Sequence, residues 1–231
     1  MTTIDLTPLD IKICGLRNTQ AIEASIAGGA THTGFIFFPK SPRHVADMGL
    51  ARDLASAVDG RAKIVPVTVN ADDDVLDGIV AAMAPDMLQL HGNESPKRVA
   101  ELKDRYQTPV MKAFAIRDEA DFDKIGPYRG VADRFLFDAK APPAGELPGG
   151  NGIAFDWSLL KALPEATDFM LSGGLSMENV ASAIRDVRPS GIDLSSGVES
   201  APGVKDVGLI EAFLAHVNKV CAQVSAEPEG S

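Results

Sequence analysis

Four side chains that can perform acid–base chemistry stand at the ends of short apolar runs, far apart along the chain. They are Cys14, His91, Asp138 and Asp193. A thiolate can remove a proton from carbon, and a carboxylic acid with a raised pKa can deliver one to oxygen. Burying an unpaired acid is costly, so Asp138 and Asp193 need hydrogen-bonding partners or a ligand. Together these residues could form an acid–base site if the fold brings the run ends together; the alternative for Cys14 is that it is a small buried hydrophobe, as a lone cysteine in a strand usually is.

Two segments rich in glycine and serine suggest a second kind of chemistry, the binding of an anion. One reads Ser172-Gly173-Gly174-Leu175-Ser176 and the other Ser195-Ser196-Gly197-Val198-Glu199. Glycines let backbone N–H groups approach an anion closely, and a helix N-terminus adds about half a positive charge. Neither segment therefore needs a lysine to hold a phosphate. The alternative is that both are ordinary turns.

Eight apolar runs recur along the chain, and their starts are spaced by roughly 22 to 34 residues, which leaves room for a strand, a helix and two loops each time. The runs are Ile11–Cys14, Thr33–Phe38, Ile64–Val69, Met87–Leu90, Val110–Ala115, Arg134–Asp138, Asp168–Leu171 and Gly191–Leu194. Helical patterns between or after them are Thr19–Ala27 capped by Asn18, Ala71–Met83, Pro96–Tyr106 capped by Ser95, Ser176–Ile184 and Val207–Cys221.

This succession predicts a single (β/α)8 barrel, because eight βα units follow one another without a break in composition. The length of 231 residues is about that of one such barrel. We expect the barrel domain to span residues 1–224 and a disordered tail to span 225–231. The Pro- and Gly-rich segment 139–152 follows the sixth strand as an irregular loop, either a mobile cover over the site or a surface insertion.

Side chains alternate along a strand, so Lys12 and Cys14 should point into the barrel while Ile11 and Ile13 face the helices. The same parity turns Gln89, His91, Asp138 and Asp193 inward. The loops after strands seven and eight form the recurring phosphate site of such barrels. Lys12 is expected either to assist Cys14 electrostatically or to pair with Asp193. His91 lines the site or donates to a backbone carbonyl.

Composition excludes several other classes of protein. The net charge of −10 argues against nucleic acid and anionic membranes, because both require a positive surface. Only Cys14 and Cys221 are present, which favours a reducing compartment, and we expect a cytoplasmic protein without a signal peptide or membrane span. The four histidines show no zinc-ligand spacing, and no P-loop or nucleophile elbow occurs.

Six segments, in order, resemble the motifs of the phosphoribosylanthranilate isomerase family of tryptophan biosynthesis. They are Lys12-Ile13-Cys14-Gly15, Gly34–Phe37 with Pro39–Arg43, Gln89-Leu90-His91-Gly92, Phe155–Ser158, Leu171–Leu175 and Asp193–Glu199. The resemblance implies an Amadori rearrangement of N-(5-phosphoribosyl)anthranilate to 1-(2-carboxyphenylamino)-1-deoxyribulose 5-phosphate without metal or organic cofactor.

The same resemblance implies a role for individual residues. Cys14 matches the family's general base and Asp138 its general acid, while Arg43 matches the residue that meets the anthranilate carboxylate. The phosphate loops correspond to Gly173, Gly174, Ser195, Ser196 and Gly197. Asp193 is expected to support the mouth of the barrel, and His91 to contribute to substrate binding. Trp157 and Phe155 are expected to pack the sixth helix.

The phosphate loops alone do not distinguish this family from other proteins that bind phosphorylated metabolites. Indole-glycerol-phosphate synthases and metal-dependent pentose-phosphate epimerases share such loops, although an epimerase needs clustered histidines and acids on the barrel axis, and the sequence lacks them. A non-catalytic phosphometabolite sensor is a third alternative, and the presence of Cys14 and Asp138 argues against it. The expected partner is a small phosphorylated substrate, and the chain is expected to be a monomer or a homodimer.

Overall fold

The fold was analysed in a computed structural model, which describes residues 9–139, 157, 160, 163 and 167–226. Eight parallel strands close into a barrel in chain order, with β8 paired to β1. The strands are β1 Asp10–Cys14, β2 His32–Phe37, β3 Lys63–Thr68, β4 Leu88–Leu90, β5 Val110–Ile116, β6 Arg134–Ala139, β7 Phe169–Leu171 and β8 Gly191–Leu194. The predicted barrel is confirmed, and each predicted strand agrees to within one residue at either end.

The alternation of side chains divides the core into two layers. Outward residues such as Ile13, Phe137 and Leu194 join the large cluster beneath the helices. Inward residues fill the barrel interior, where Val65, Met87, Met111, Ala113, Leu136 and Met170 pack together. Asp138 directly follows the outward Phe137 and therefore points inward, as strand parity predicts.

The helices of the outer layer are α1 Thr19–Ala27, α2 Met48–Val58, α3 Asp73–Met83, α4 Pro96–Tyr106, α5 Val180–Ser182 and α6 Val207–Ala226. Asn18 caps α1 through a 2.8 Å bond from the Ala21 N–H, and Ser95 caps α4. The predicted α1 and α4 are confirmed residue for residue, since a side-chain cap marks each start. Helix α2 was not predicted. Its buried Ala51, Leu54 and Val58 supply the apolar stripe.

The helix predicted from Ser176 to Ile184 is wrong at its start. The Ser176 N–H donates to the Asn179 side chain at 2.8 Å and its carbonyl accepts from the Val180 N–H at 3.0 Å, as at a capped helix start, but residues 177–179 form only a turn. Regular α-helix begins only at Val180, and wider π-helical turns continue it over Ala183–Val187. Between β5 and β6 the connection consists of two 3-10 turns, Glu119–Lys124 and Gly126–Tyr128.

The last helix is longer than predicted and runs two residues into the expected tail, to Ala226. Its segment Val207–Val224 is long and apolar enough to cross a membrane by length and composition alone. Ile210, Phe213, Leu214, Val217 and Val220 are buried in the core cluster, as in an outer helix of a barrel. Residues 227–231 lie outside the described residues, as does nearly all of the predicted loop 139–152.

A polar network joins strands at the N-terminal face of the barrel, away from the predicted site. The Arg134 guanidinium contacts Asp10 at 2.6 Å, the Ser190 hydroxyl at 2.8 Å and Asp168 at 3.1 Å. Its side chain is buried. The network therefore ties β6 to β1 and to the segments that lead into β7 and β8.

Candidate active site

A cavity opens at the C-terminal ends of the strands. Its walls consist of Cys14, Ile36, Phe38, Ser41, Arg43, Val67, Val69, Gln89, His91, Asp138, Ser172, Asp193 and Ser195. The fold thus brings together the four predicted acid–base residues, which lie up to 179 positions apart in the sequence, in one enclosure. Ligands of α/β barrels bind at this end of the strands.

Cys14 ends β1 and is buried, with Gly34 opposite it on β2. Burial raises the pKa of the Cys14 thiol above its ordinary value, while the positive charges of Lys12 and Lys205 act in the opposite direction. Lys12 is fully buried and donates to Asp193 at 2.9 Å. The two suggested roles of Lys12 are therefore compatible: it pairs with Asp193, and its charge also opposes the rise in the pKa of Cys14 that burial causes.

Asp193 is held from two sides at the end of β8. One carboxylate oxygen binds Lys12, and the other lies 3.4 Å from the Ser172 hydroxyl in the loop after β7. Burial alone would lower the pKa of Lys12, but Asp193 and Cys14 raise it above its ordinary value. Lys12 therefore stays charged inside the barrel, and Asp193 balances that charge.

Asp138 lies at the end of β6 and is buried. Its Oδ2 lies 3.5 Å from His91 Nε2, whereas Oδ1 has no hydrogen-bond donor among the described residues. Gln89 Nε2 lies 3.2 Å from His91 Nδ1, so a donating amide leaves the imidazole proton on Nε2, toward Asp138. His91 thus faces the carboxyl and the cavity. Gln89 was predicted to point inward, but its contact with His91 was not foreseen.

The loops after β7 and β8 contain the predicted glycines, and two of these are required by the backbone. Gly173 and Gly174 have φ angles of 86° and 65°, in the left-handed region that favours glycine. A Cβ atom on Gly197 would lie 2.6 Å from the Leu175 carbonyl oxygen, so the two loops touch at this point. Ser195 donates to the Cys14 carbonyl at 3.1 Å and joins the second loop to β1.

Two expectations about these loops require correction. The first loop is followed by a turn and not by a helix N-terminus, and the second continues into a single 3-10 turn, Ser196–Val198. A lysine also supports the second loop: Lys205 Nζ donates to the Ser195 carbonyl at 2.8 Å and lies 3.3 Å from its hydroxyl. No motif indicated Lys205, because it lies ten residues after Ser195 and beyond the end of the motif at Glu199.

Arg43 is buried, not solvated as a loop arginine usually is. Its Nε and Nη2 donate to the two carboxylate oxygens of Glu199 at 2.6 and 2.7 Å. Glu199 belongs to a short hairpin, β9 Glu199–Ala201 and β10 Val204–Lys205, that follows the second glycine loop. The motif contained Glu199, but only the fold reveals that it pairs with Arg43. Among the described residues, no group of three His, Cys, Asp or Glu side chains is placed to hold a metal ion.

An eight-stranded barrel with a thiol, a carboxyl and two glycine loops around one cavity belongs to the class of acid–base barrel enzymes. The family model of N-(5′-phosphoribosyl)anthranilate (PRA) isomerase matches residues 11–216. A relative of that name from Brucella canis is 60% identical over 215 residues, which cover 93% of this chain and 96% of the relative. The chain belongs to the PRA isomerase family.

Solved structures agree with this result. The phosphoribosyl anthranilate isomerase of Thermotoga maritima is 33% identical, with a TM-score of 0.82 and coverage of 91% of this chain and 99% of that one. Another solved family member, 32% identical with a TM-score of 0.79 over 91% and 99% of the two chains, holds reduced 1-(o-carboxyphenylamino)-1-deoxyribulose 5-phosphate. The family predicted from the motifs is confirmed, and with it the isomerase activity in tryptophan biosynthesis.

Proposed function

We propose that the chain carries out the PRA isomerase reaction with Cys14 as general base and Asp138 as general acid. The observation that carries this proposal is the placement of a buried carboxyl, with one oxygen free of donors among the described residues, in the same cavity as a buried thiol. An unpartnered buried carboxyl oxygen is costly, and a ligand that accepts a hydrogen bond from the protonated carboxyl would compensate that cost.

The reaction needs two proton transfers at different atoms. Asp138 donates a proton to the furanose ring oxygen, the C1–O bond breaks, and the anthranilate nitrogen supplies the electrons for a protonated Schiff base. The cationic C1=N group acidifies the proton on C2, and the Cys14 thiolate removes it to give an enolamine. The enolamine gains a proton at C1 and loses the one on the C2 hydroxyl, which yields the ketone. The product is therefore an isomer of the substrate.

The cavity supplies contacts for both ends of the substrate. The backbone of Gly173, Gly174, Ser195, Ser196 and Gly197 is proposed to hold the phosphate, with Lys205 behind Ser195 as a cation in contact with the loop. Arg43 is proposed to meet the anthranilate carboxylate with Nη1, which its pair with Glu199 leaves available. His91 and Asp193 are proposed to line the sugar site, through their contacts with Asp138 and Lys12 respectively.

The experiment measures the loss of anthranilate-type fluorescence on turnover of PRA by the unmodified protein and by Cys14→Ala and Asp138→Asn. General acid–base groups contribute about 10²- to 10⁴-fold, so each variant should lose kcat by that factor. Cys221→Ala serves as the control, because it removes the other cysteine, on α6, and should retain activity. Normal turnover by either variant would show that the assignment is wrong, and phosphate binding without any turnover would favour a sensor.

Two further properties are proposed from the same observations. We place the enzyme in the cytoplasm, since neither Cys14 nor Cys221 forms a disulfide, as is usual in a reducing compartment. We also propose that it is a monomer or a homodimer. A Thermotoga maritima relative, 32% identical over 91% of this chain, is described as dimeric. Sedimentation at several protein concentrations distinguishes the two states.

A further inference from the structure

We propose that Glu199 is a positioning residue that aligns the Arg43 guanidinium with the carboxylate of the substrate. The inference rests on the proposed function, because it takes the contact between Arg43 and that carboxylate as given. Glu199 itself does not touch the reacting atoms. Its effect is expected in how well the enzyme distinguishes a carboxylated aryl group from a bare one.

The carboxylate of Glu199 is saturated with donors. Oε1 accepts from Arg43 Nε and from Lys205 Nζ, both at 2.6 Å. Oε2 accepts from Arg43 Nη2 at 2.7 Å and from the Gly203 N–H at 3.1 Å. A carboxylate offers about four acceptor positions, and all four are used here. Glu199 therefore has no capacity left to act as a base or to bind substrate, and its contacts are all internal.

Arg43 is confined on the opposite side by Gly15. A Cβ atom at Gly15 would lie 2.6 Å from Arg43 Cδ, and the φ of Gly15 is 81°, so only glycine fits there without strain. The side chain of Arg43 thus passes between Gly15 and Glu199 before it reaches the cavity. A guanidinium held in this way has already lost its rotamer freedom, and it need not be ordered again when a ligand binds.

The charges around Glu199 leave a positive surplus beside the cavity. Arg43 and Lys205 are two buried cations, and Glu199 provides one negative charge between them. Burial raises the pKa of Glu199, but Arg43 and Lys205 outweigh that effect and hold it below its ordinary value. The three groups together carry one net positive charge in a chain of net charge −10. An anionic substrate therefore meets a local cation despite the acidic surface.

A purely structural role is the competing explanation. The hairpin that contains Glu199 also packs on the loop of Arg43, where a Cβ atom at Gly203 would lie 2.5 Å from the Pro42 carbonyl oxygen. Loss of Glu199 would then loosen the loop and weaken every ligand equally. Alignment of Arg43 predicts something narrower, namely a loss confined to ligands that carry the carboxylate.

The test compares two stable analogues of the product, reduced 1-(o-carboxyphenylamino)-1-deoxyribulose 5-phosphate and its phenylamino counterpart without the carboxylate. Calorimetry gives the Kd of each for the unmodified protein, Arg43→Met, Glu199→Gln and, as a matched control, Glu211→Gln on the exposed face of α6. We expect the unmodified protein and the control to prefer the carboxylated analogue by at least tenfold. Glu199→Gln should reduce the preference to about threefold or less, with an unchanged Kd for the phenylamino analogue.

The two proposals fail in different ways. If the unmodified protein binds both analogues equally, Arg43 does not bind the carboxylate. The role given to Arg43 in the proposed function is then wrong. If the protein discriminates and Arg43→Met abolishes the preference, but Glu199→Gln retains it or weakens both analogues alike, the positioning role is wrong. Glu199→Asp keeps the charge between the two cations and withdraws the carboxylate by one methylene, so it tests alignment even if Glu199→Gln does not fold. If Glu199→Asp prefers the carboxylated analogue as strongly as the unmodified protein does, the inference is also overturned.

Discussion

Gly34 lies directly opposite Cys14 in the parallel β1–β2 pair, and a Cβ atom at Gly34 would lie 2.9 Å from both Sγ and Cα of Cys14. The proposed base therefore occupies space that only glycine leaves open. Because Cα as well as the thiol would be too close, rotation of the Cys14 side chain alone does not relieve the overlap.

Gly34→Ala is predicted to displace Cys14 and to lower kcat/KM by at least tenfold. Overpacking of this kind costs about 1–3 kcal/mol of folding free energy, so the variant should still fold at 25 °C. Steady-state kinetics and denaturant unfolding provide the two readings. Gly126→Ala is the control, since its added methyl would meet no described atom within 4 Å. Full activity in Gly34→Ala would contradict the proposed role of this position.

Lys12→Met is predicted to shift the rise of kcat/KM with pH to higher pH. The thiolate is the active form of the proposed base, and burial already raises the pKa of Cys14, while Lys12 opposes this effect. Removal of the cation leaves Asp193 without its counterion beside the thiol. The negative charge of Asp193 then raises the pKa of Cys14 further. The pH profile of kcat/KM and the alkylation rate of Cys14 should shift together. An unchanged pH profile in a folded variant would show that Lys12 does not affect the ionisation of Cys14.

Arg134→Met is predicted to destabilise the fold without slowing catalysis. Breaking a buried ion pair costs about 3–5 kcal/mol, and the partial exposure of Asp10 and Asp168 places this case at the lower end or below. The network lies at the N-terminal face, away from the cavity. Thermal unfolding should occur at lower temperature while kcat at 25 °C stays within about twofold. A large loss of kcat in a folded variant would show that the two ends of the barrel are coupled.

His32→Gln is predicted to reduce the acid sensitivity of the fold. Burial lowers the pKa of His32 to about 4, despite the nearby Asp10 carboxylate. Between pH 6.5 and 4 the unfolded chain binds a proton at His32 that the folded chain does not, so folding stability falls as the pH falls through this window. Each pKa unit corresponds to about 1.4 kcal/mol, which gives an effect of roughly 1–3 kcal/mol at pH 4. Denaturant unfolding at pH 7 and pH 4.5 measures it, and an equal loss in both proteins would exclude His32 as the source.

The barrel could be predicted from sequence because its signals are local. Alternating apolar residues mark each strand, and Asn18 and Ser95 cap their helices with their own side chains. The helix after β7 was placed too early because Ser176 has the bonds of a capped helix start, whereas residues 177–179 form only a turn before regular helix begins at Val180. Strand parity placed Cys14, His91, Asp138 and Asp193 together without knowledge of any distance.

The ionic arrangement of the site was not predictable in the same way. Glu199 follows a recognisable loop, but its pairing with Arg43 joins residues 156 positions apart. Lys205 carries no motif at all and meets Ser195 only because the hairpin folds back on the loop. Tertiary contacts decide which charges neutralise one another. The sequence therefore predicted a phosphate site held by backbone dipoles, but it did not predict the lysine that supports the second loop.

The pair formed by Lys12 and Asp193 also has a consequence for synthesis of the protein on the ribosome. The two partners are separated by 181 positions, so the lysine leaves the exit tunnel long before its counterion has been translated. An emerging N-terminal fragment therefore lacks the native counterion of a charge that is fully buried in the folded protein. We therefore expect the first strand to remain solvated until the eighth has been translated, and the proposed base Cys14, at the end of that first strand, to reach its buried position only as translation approaches its end.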